Sequence, residues 1–170
     1  VRPLPRHGGA AQGRARGLPA LLVSAVHERP GDALRGAEGD GVRRISFAWT
    51  TPALLVGQKT VTRRDWSEVH ARGFRKGDLV EAFDKQARFG GKKVAVIRLT
   101  ETPYQESTGL APDGDWEAEG FEYLQHLGIL VDGLLPAVLW RSWKMFPQLL
   151  WVVRFKIGWI VKAWPSGVSP

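Results

Sequence analysis

The 170-residue chain contains no cysteine. That absence excludes disulfides, Cys-based zinc sites and thiol nucleophiles, and it fits a reducing compartment, so a cytoplasmic protein is expected. Its four histidines, His7, His27, His70 and His126, are scattered, and no pair has metal-ligand spacing. No metal and no cofactor are expected. Long apolar runs are missing too. The longest, Leu127–Trp140, is broken by Asp132 and Pro136 and is too short to span a bilayer, so no membrane partner is expected. Gly17–Val26 follows several arginines in the manner of a signal peptide, but HERPGD follows it rather than a small-residue cleavage site. There is no internal repeat.

Lysine and aromatic residues are absent from residues 1–44, which hold eight Arg against four acids and are rich in Gly, Pro and Ala. Such a segment buries too little apolar surface to offset its ordering entropy. It reads as a flexible tail, with room for a short helix over Pro19–Glu28. The last thirteen residues, Gly158–Pro170, read as a second tail. One domain is expected between them, over Ile45–Ile157.

What the chain does have is positive charge, +7 overall with a sequence pI of about 10.1. A basic surface favours anionic partners such as RNA, because polyanions lose counterions on binding. The charge is unevenly placed. Lys59–Lys93 holds ten Lys/Arg and five Asp/Glu, whereas Leu99–Trp140 holds eight acids and no Lys or Arg. The two segments suit a basic and an acidic wall facing each other across a cleft, or two ordinary solvated faces.

The elements follow from local signals. Ile45–Trp49 reads as a strand, and Thr50-Thr51-Pro52 as the start of a helix that stops at Gly57. Asp65 suits the cap of a short helix, Trp66–Arg72. Leu79–Phe83 and Val94–Thr100 read as strands joined by a Gly-rich turn, Arg88–Lys92. Glu101–Gly114 reads as a loop. Asp115 then caps an amphipathic helix to about Leu127, Leu134–Met145 is a further helix, and Leu149–Ile157 is a closing strand. Short strands mixed irregularly with helices predict an α+β domain with a small curved or closed sheet. Trp49 and Trp151, inside strands, are expected in the core, as are Trp140 and Trp143 on one helix face. Trp66, Trp116 and Phe89 are candidates for base stacking.

The richest loop is Gly57-Gln58-Lys59-Thr60-Val61-Thr62-Arg63-Arg64. Two hydroxyls and three cations follow a helix-ending glycine. In an extended segment Thr60, Thr62 and Arg64 share one face and Lys59, Val61 and Arg63 the other, unless a turn at Lys59 brings it to the Thr62 side. Arg grips phosphate or carboxylate with paired bonds, and Lys acts as a mobile point charge. By composition alone the same loop is also a surface turn with solvated cations.

Residues 45–157 resemble the ASCH domain family, whose fold is a small β-barrel related to the PUA fold. The resemblance rests on Ser46–Thr50 (SFAWT), on G-x-K-T-x-T-x-R (Gly57, Lys59, Thr60, Thr62, Arg64) and on the Asp65-Trp66 that follows. It continues through the Lys76–Asp78 turn, the strand Gly90–Thr100, the helix at Ala118–Phe121 and the closing strand Leu149–Phe155. It implies a cleft beside the barrel for RNA, a nucleoside or a nucleotide. Thr60, Arg63, Arg64, Trp66, Arg88 and Lys92 are the candidate contacts. Some members are RNA-binding modules. Others are small hydrolases that deacetylate N4-acetylcytidine with a Lys, a Thr and a Glu. Matched residue by residue, these fall on Lys59 as base, Thr62 as nucleophile and Glu119, with Glu117 as the competing glutamate. The expected function is RNA or nucleotide binding; the alternatives are amidohydrolase and ribonuclease. The chain departs from the small hydrolases in its extra helical stretch, Leu134–Met145, and its higher aromatic content.

Overall fold

A computed structural model describes residues 42–161. Most of both expected tails, and the possible helix Pro19–Glu28, lie outside the described residues. The architecture is α+β: a curled, half-barrel mixed sheet with a few helices. Its strands are β1 (Arg44–Ser46), β2 (Val61–Arg64), β3 (Leu79–Phe83), β4 (Lys93–Leu99), β5 (Tyr104–Ser107) and β6 (Leu149–Ile160). Its helices are α1 (Thr51–Leu55), α2 (Glu68–Ala71), α3 (Asp115–Ala118), α4 (Phe121–His126) and α5 (Pro136–Met145).

The sheet runs β1-β3-β4-β6-β2, with β5 also on β6. Only the β1–β3 pairing is parallel. The long β6 organises it. Val152 pairs with Arg63 of β2 and with Tyr104 of β5, so these strands lie on opposite edges of β6. Past Val152, β6 pairs with β4 from Leu99↔Phe155 to Ala95↔Ile160, with a register shift between Val96 and Ile97. This pairing extends the strand through Gly158, Trp159 and Ile160, which the sequence reading assigned to the tail. At the other end Arg44 is already in β1, opposite Glu81. β1 and β2 end the strand order, so they flank the open seam of the half-barrel.

The buried apolar side chains form two clusters. One is the sheet core, with Phe47, Leu54, Ile97 and Phe155 among its buried members. The other is helical and joins Ala53, Phe121, Leu124, Val131, Leu139 and Trp143. Burying a side chain of this size contributes roughly 1.5–3 kcal/mol.

Four local expectations change. The first strand stops at Ser46, because Ala48 adopts φ 42 and starts a 3-10 turn over Ala48–Thr50. The short helix begins at Glu68, with Ser67 and not Asp65 capping it through His70 N. Trp66 precedes it because its ring is held in the sheet core against Phe74. The loop before Asp115 contains β5, a polar strand paired with β6. The expected helix Asp115–Leu127 is two helices, broken at Glu119 and at Gly120, which has φ 78.

Candidate active site

Gly57 ends α1 in the left-handed conformation, φ 79, where glycine carries no Cβ penalty. The chain doubles back so tightly that Gln58 N and Lys59 N both donate to Ala53 O, at 2.9 and 3.2 Å. Thr60 is then held from both sides: its N–H donates to Ala118 O at 2.8 Å, and its O accepts from Phe155 N at 2.9 Å. This clamp points Lys59 inward, in an isolated antiparallel bridge with Glu119. The Thr60 side chain is left exposed, so this expected contact stays outside the cavity.

Glu119 reaches Lys59 because the helix breaks there. A Cβ on Gly120 would lie 2.5 Å from Ala53 Cβ and 3.3 Å from Lys59 Cβ, so only glycine lets the α3–α4 junction approach α1 this closely. Lys59 Nζ donates to Glu119 Oε2 at 2.6 Å and to Glu119 O at 2.9 Å. Lys59 and Glu119 are 1% and 2% exposed, which sets this pair apart from surface ion pairs. The competing glutamate, Glu117, is exposed.

Arg63 completes a buried cluster. Its Nη1 donates to Glu119 Oε1 at 3.0 Å, and its Nη2 to Glu106 at 2.7 Å and Asp115 at 2.5 Å. Arg154 braces Asp115 with two bonds of 3.0 Å and donates through Nε to Tyr104 Oη at 3.0 Å. The Arg63 side chain is 0% exposed. The sequence suggested that it would grip a ligand. It is instead the hub of an internal ion-pair network, because three acids from the cation-free stretch converge on it. Arg64 crosses the seam, donating to Ser46 O at 2.5 Å with its guanidinium over the Phe47 ring.

Lys59, Thr62, Arg63, Arg64 and Glu119 line one cavity of about 70 Å³, where the seam meets the helical core. Phe47 to Thr50 form one wall, and Phe121, Val131, Leu139 and Trp143 another. Thr62 is buried, and its hydroxyl has no hydrogen-bond partner among the described residues. Trp49 was expected in the core. It is 57% exposed at the cavity wall, because the 3-10 turn rotates it off the sheet.

The electrostatics bear on acid–base chemistry. Burial pushes the Lys59 ammonium below its ordinary value of 10.5, Glu119 opposes that shift, and Arg64 and Arg63 add to it. Burial opposes charge on Arg63 as well, but Glu119, Asp115 and Glu106 outweigh it and hold the guanidinium protonated. Burial alone would raise the Asp115 carboxyl. The bonds from Arg154 and Arg63 outweigh it and hold that carboxyl below the usual range.

The remaining expected contacts are elsewhere. Trp66 is 8% exposed and stacked on Phe74 at 4.7 Å, so it is a core residue and offers no face to a base. Arg88 and Lys92 are exposed on the β3–β4 turn and do not line the cavity. Trp116 packs edge-on against Phe121 and Trp140, and Trp143 is buried. Sequence reading missed Asp115 and Glu106 as partners of Arg63; the hint was the basic and acidic halves of the domain. Among the described residues no group of His, Asp and Glu suits a metal ion, and no helix is long and apolar enough to cross a membrane.

No family model and no curated protein matches the sequence. Among solved structures, the chain is similar to the crystal structure of a protein from Enterococcus faecalis V583, described with the family-model DUF984. The identity is 17% and the TM-score 0.46, over 79% of this chain and 92% of that one.

Proposed function

We propose that this chain is a small amidohydrolase on an ASCH-type, PUA-like scaffold. Its substrate is an acylated nucleoside of the N4-acetylcytidine kind. The observation that carries the reading is the buried Lys59–Glu119 contact of 2.6 Å beside the unbonded hydroxyl of Thr62 in one cavity.

A threonine hydroxyl is a weak nucleophile until a base takes its proton. Lysine serves as that base only when its pKa is lowered, and burial lowers that of Lys59. Lys59 Nζ and Thr62 Oγ1 share the cavity without a hydrogen bond between them, so they must close to bonding distance as Lys59 takes the Thr62 proton and Oγ1 attacks the amide carbonyl carbon. The C–N bond breaks, Lys59 returns the proton to the leaving nitrogen, and the acetyl group remains as an ester on Thr62. Water then adds to that ester, giving one proton back to Thr62 Oγ1 by way of Lys59, and acetate leaves. Glu119 fixes Lys59 through two acceptor oxygens.

The small cavity and its internally paired cations favour a small acyl group over a phosphate backbone as the occupant of this site. At about 70 Å³ the cavity is far below the roughly 300–1,000 Å³ of drug-sized sites. It suits the acylated amide end of a ligand, while the base rests against Trp49 outside. The charges of Lys59 and Arg63 are already answered by internal carboxylates, which leaves them little to offer a phosphate backbone.

The test is to quench the protein with acid during turnover of N4-acetylcytidine and to map acetyl groups by mass spectrometry. The expected result is an acetylated peptide with the modification on Thr62. Absence of both acetate release and acetyl-Thr62 across a panel of N-acylated nucleosides, with RNA bound instead, would overturn the proposal in favour of a binding module.

A further inference from the structure

Two cations share one buried carboxylate. Lys59 takes Glu119 Oε2 and Arg63 takes Oε1, at 2.6 and 3.0 Å. Glu119 therefore divides its charge between two cations, in a cluster where Lys59, Arg63 and Arg154 face Glu119, Asp115 and Glu106. Arg63 cannot deprotonate in a protein, whereas Lys59 can. Arg63 is also anchored from behind by Asp115 and Glu106, with Asp115 itself braced by Arg154. If Lys59 is neutral, Arg63–Glu119 and Arg154–Asp115 remain as matched pairs. Glu106, the most exposed of the three acids at 19%, keeps contact with water.

We propose that Arg63 is the positioning residue of the site: as a second, fixed cation on Glu119, it weakens that carboxylate's hold on the Lys59 proton and so favours the neutral amine that accepts the Thr62 proton. The proposal rests on the amidohydrolase reading for its purpose but not for its measurement. The charged groups facing Lys59 are Glu119 from the α3–α4 junction and Arg63 and Arg64 from β2. The other cavity walls bring Phe47, Phe121, Leu139 and Trp143, which carry no charge. Removing the Arg63 cation beside Lys59 therefore has one sign. Glu119, deprived of Arg63, binds the Lys59 ammonium more strongly and raises its pKa.

The experiment is an NMR titration of the full chain labelled with carbon-13 lysine, with the Lys59 signal assigned by its loss in Lys59→Met. In the wild type, Lys59 titrates below 10.5 despite its bond to a carboxylate. In Arg63→Gln the midpoint rises by about one pH unit or more. In Arg63→Lys, which restores the charge, it stays close to the wild-type value. Glu106→Gln, at a partly exposed position, moves it the opposite way by giving Arg63 more fully to Glu119. The acidic limb of the kcat/KM profile for N4-acetylcytidine follows the same shifts, with KM changed little.

A wild-type Lys59 midpoint at or above 10.5 overturns the proposal. So does a folded Arg63→Gln variant with an unmoved midpoint. If Arg63→Gln does not fold, an unmoved or raised midpoint in Glu106→Gln overturns it instead. Wild-type protein that shows these titrations but releases no acetate refutes the amidohydrolase reading and leaves the role of Arg63 standing.

Discussion

Glu119 accepts two hydrogen bonds from Lys59 Nζ through two different oxygens, its carboxylate Oε2 at 2.6 Å and its main-chain oxygen at 2.9 Å. A residue inside a continuous helix would give its main-chain oxygen to the N–H four residues on. Glu119 has that oxygen available because the chain leaves helical geometry at Gly120, φ 78.

Gly120→Ala should therefore damage the site and the fold together. The new methyl meets Ala53 Cβ at 2.5 Å on a left-handed backbone. Left-handed backbone strain costs about 1–2 kcal/mol and overpacking about 1–3 kcal/mol, so a total loss of roughly 2–5 kcal/mol is expected. Urea unfolding measures it. A loss below about 0.5 kcal/mol, the level of an ordinary surface change, would contradict the close approach of the α3–α4 junction to α1.

Trp49→Ala should separate binding from stability. The side chain is 57% exposed, so melting should change little. If the substrate base stacks on it, the loss is about 1–3 kcal/mol of binding, a rise in KM of roughly 5- to 150-fold. Steady-state kinetics with N4-acetylcytidine, beside a thermal melt, measure both. An unchanged KM would show that the base lies elsewhere on the rim.

Acid should weaken the fold through Asp115. Its carboxyl is held below its ordinary value of 3.8, so in the window beneath 3.8 the unfolded chain binds more protons than the folded one. Stability from this group is complete above that value and is lost as pH falls through the lower, folded pKa. Asp115→Asn should be less stable than wild type at pH 7, because Arg63 and Arg154 lose a charged partner. It should also show a shallower fall in stability below about pH 4. Chemical unfolding across that range tests the sign; parallel pH curves for the two proteins would contradict it.

Much of the fold was legible in the sequence because local patterns and tertiary context agree there. Leu79–Phe83 is a strand with the bounds that its pattern sets, and Gly57 ends α1 as expected. Where context overrides pattern, sequence fails. Tyr104–Ser107 is polar and lacks alternation, and it is a strand only because β6 offers it a partner. Gly120 looks like a tolerated helix glycine, and its left-handed role depends on Ala53, 67 residues away in sequence. Trp49 sits in an apolar run, yet the positive φ of Ala48 turns it outward. For the site, Lys59, Thr62 and Glu119 come from a family resemblance, and the structure brings all three to one cavity. The pairing of Arg63 with Glu106 and Asp115 is non-local, and only the uneven distribution of charge along the chain pointed towards it.

The most direct test of the account is the rate of acetate release from N4-acetylcytidine by wild type and by Thr62→Ala, alongside a binding titration of both with cytidine. The account predicts measurable turnover by the wild type and a loss of at least about a thousandfold in kcat for the variant, since the nucleophile is gone. Cytidine binding should remain within a few-fold of the wild type. Equal turnover by the two proteins, or none by the wild type, would contradict it.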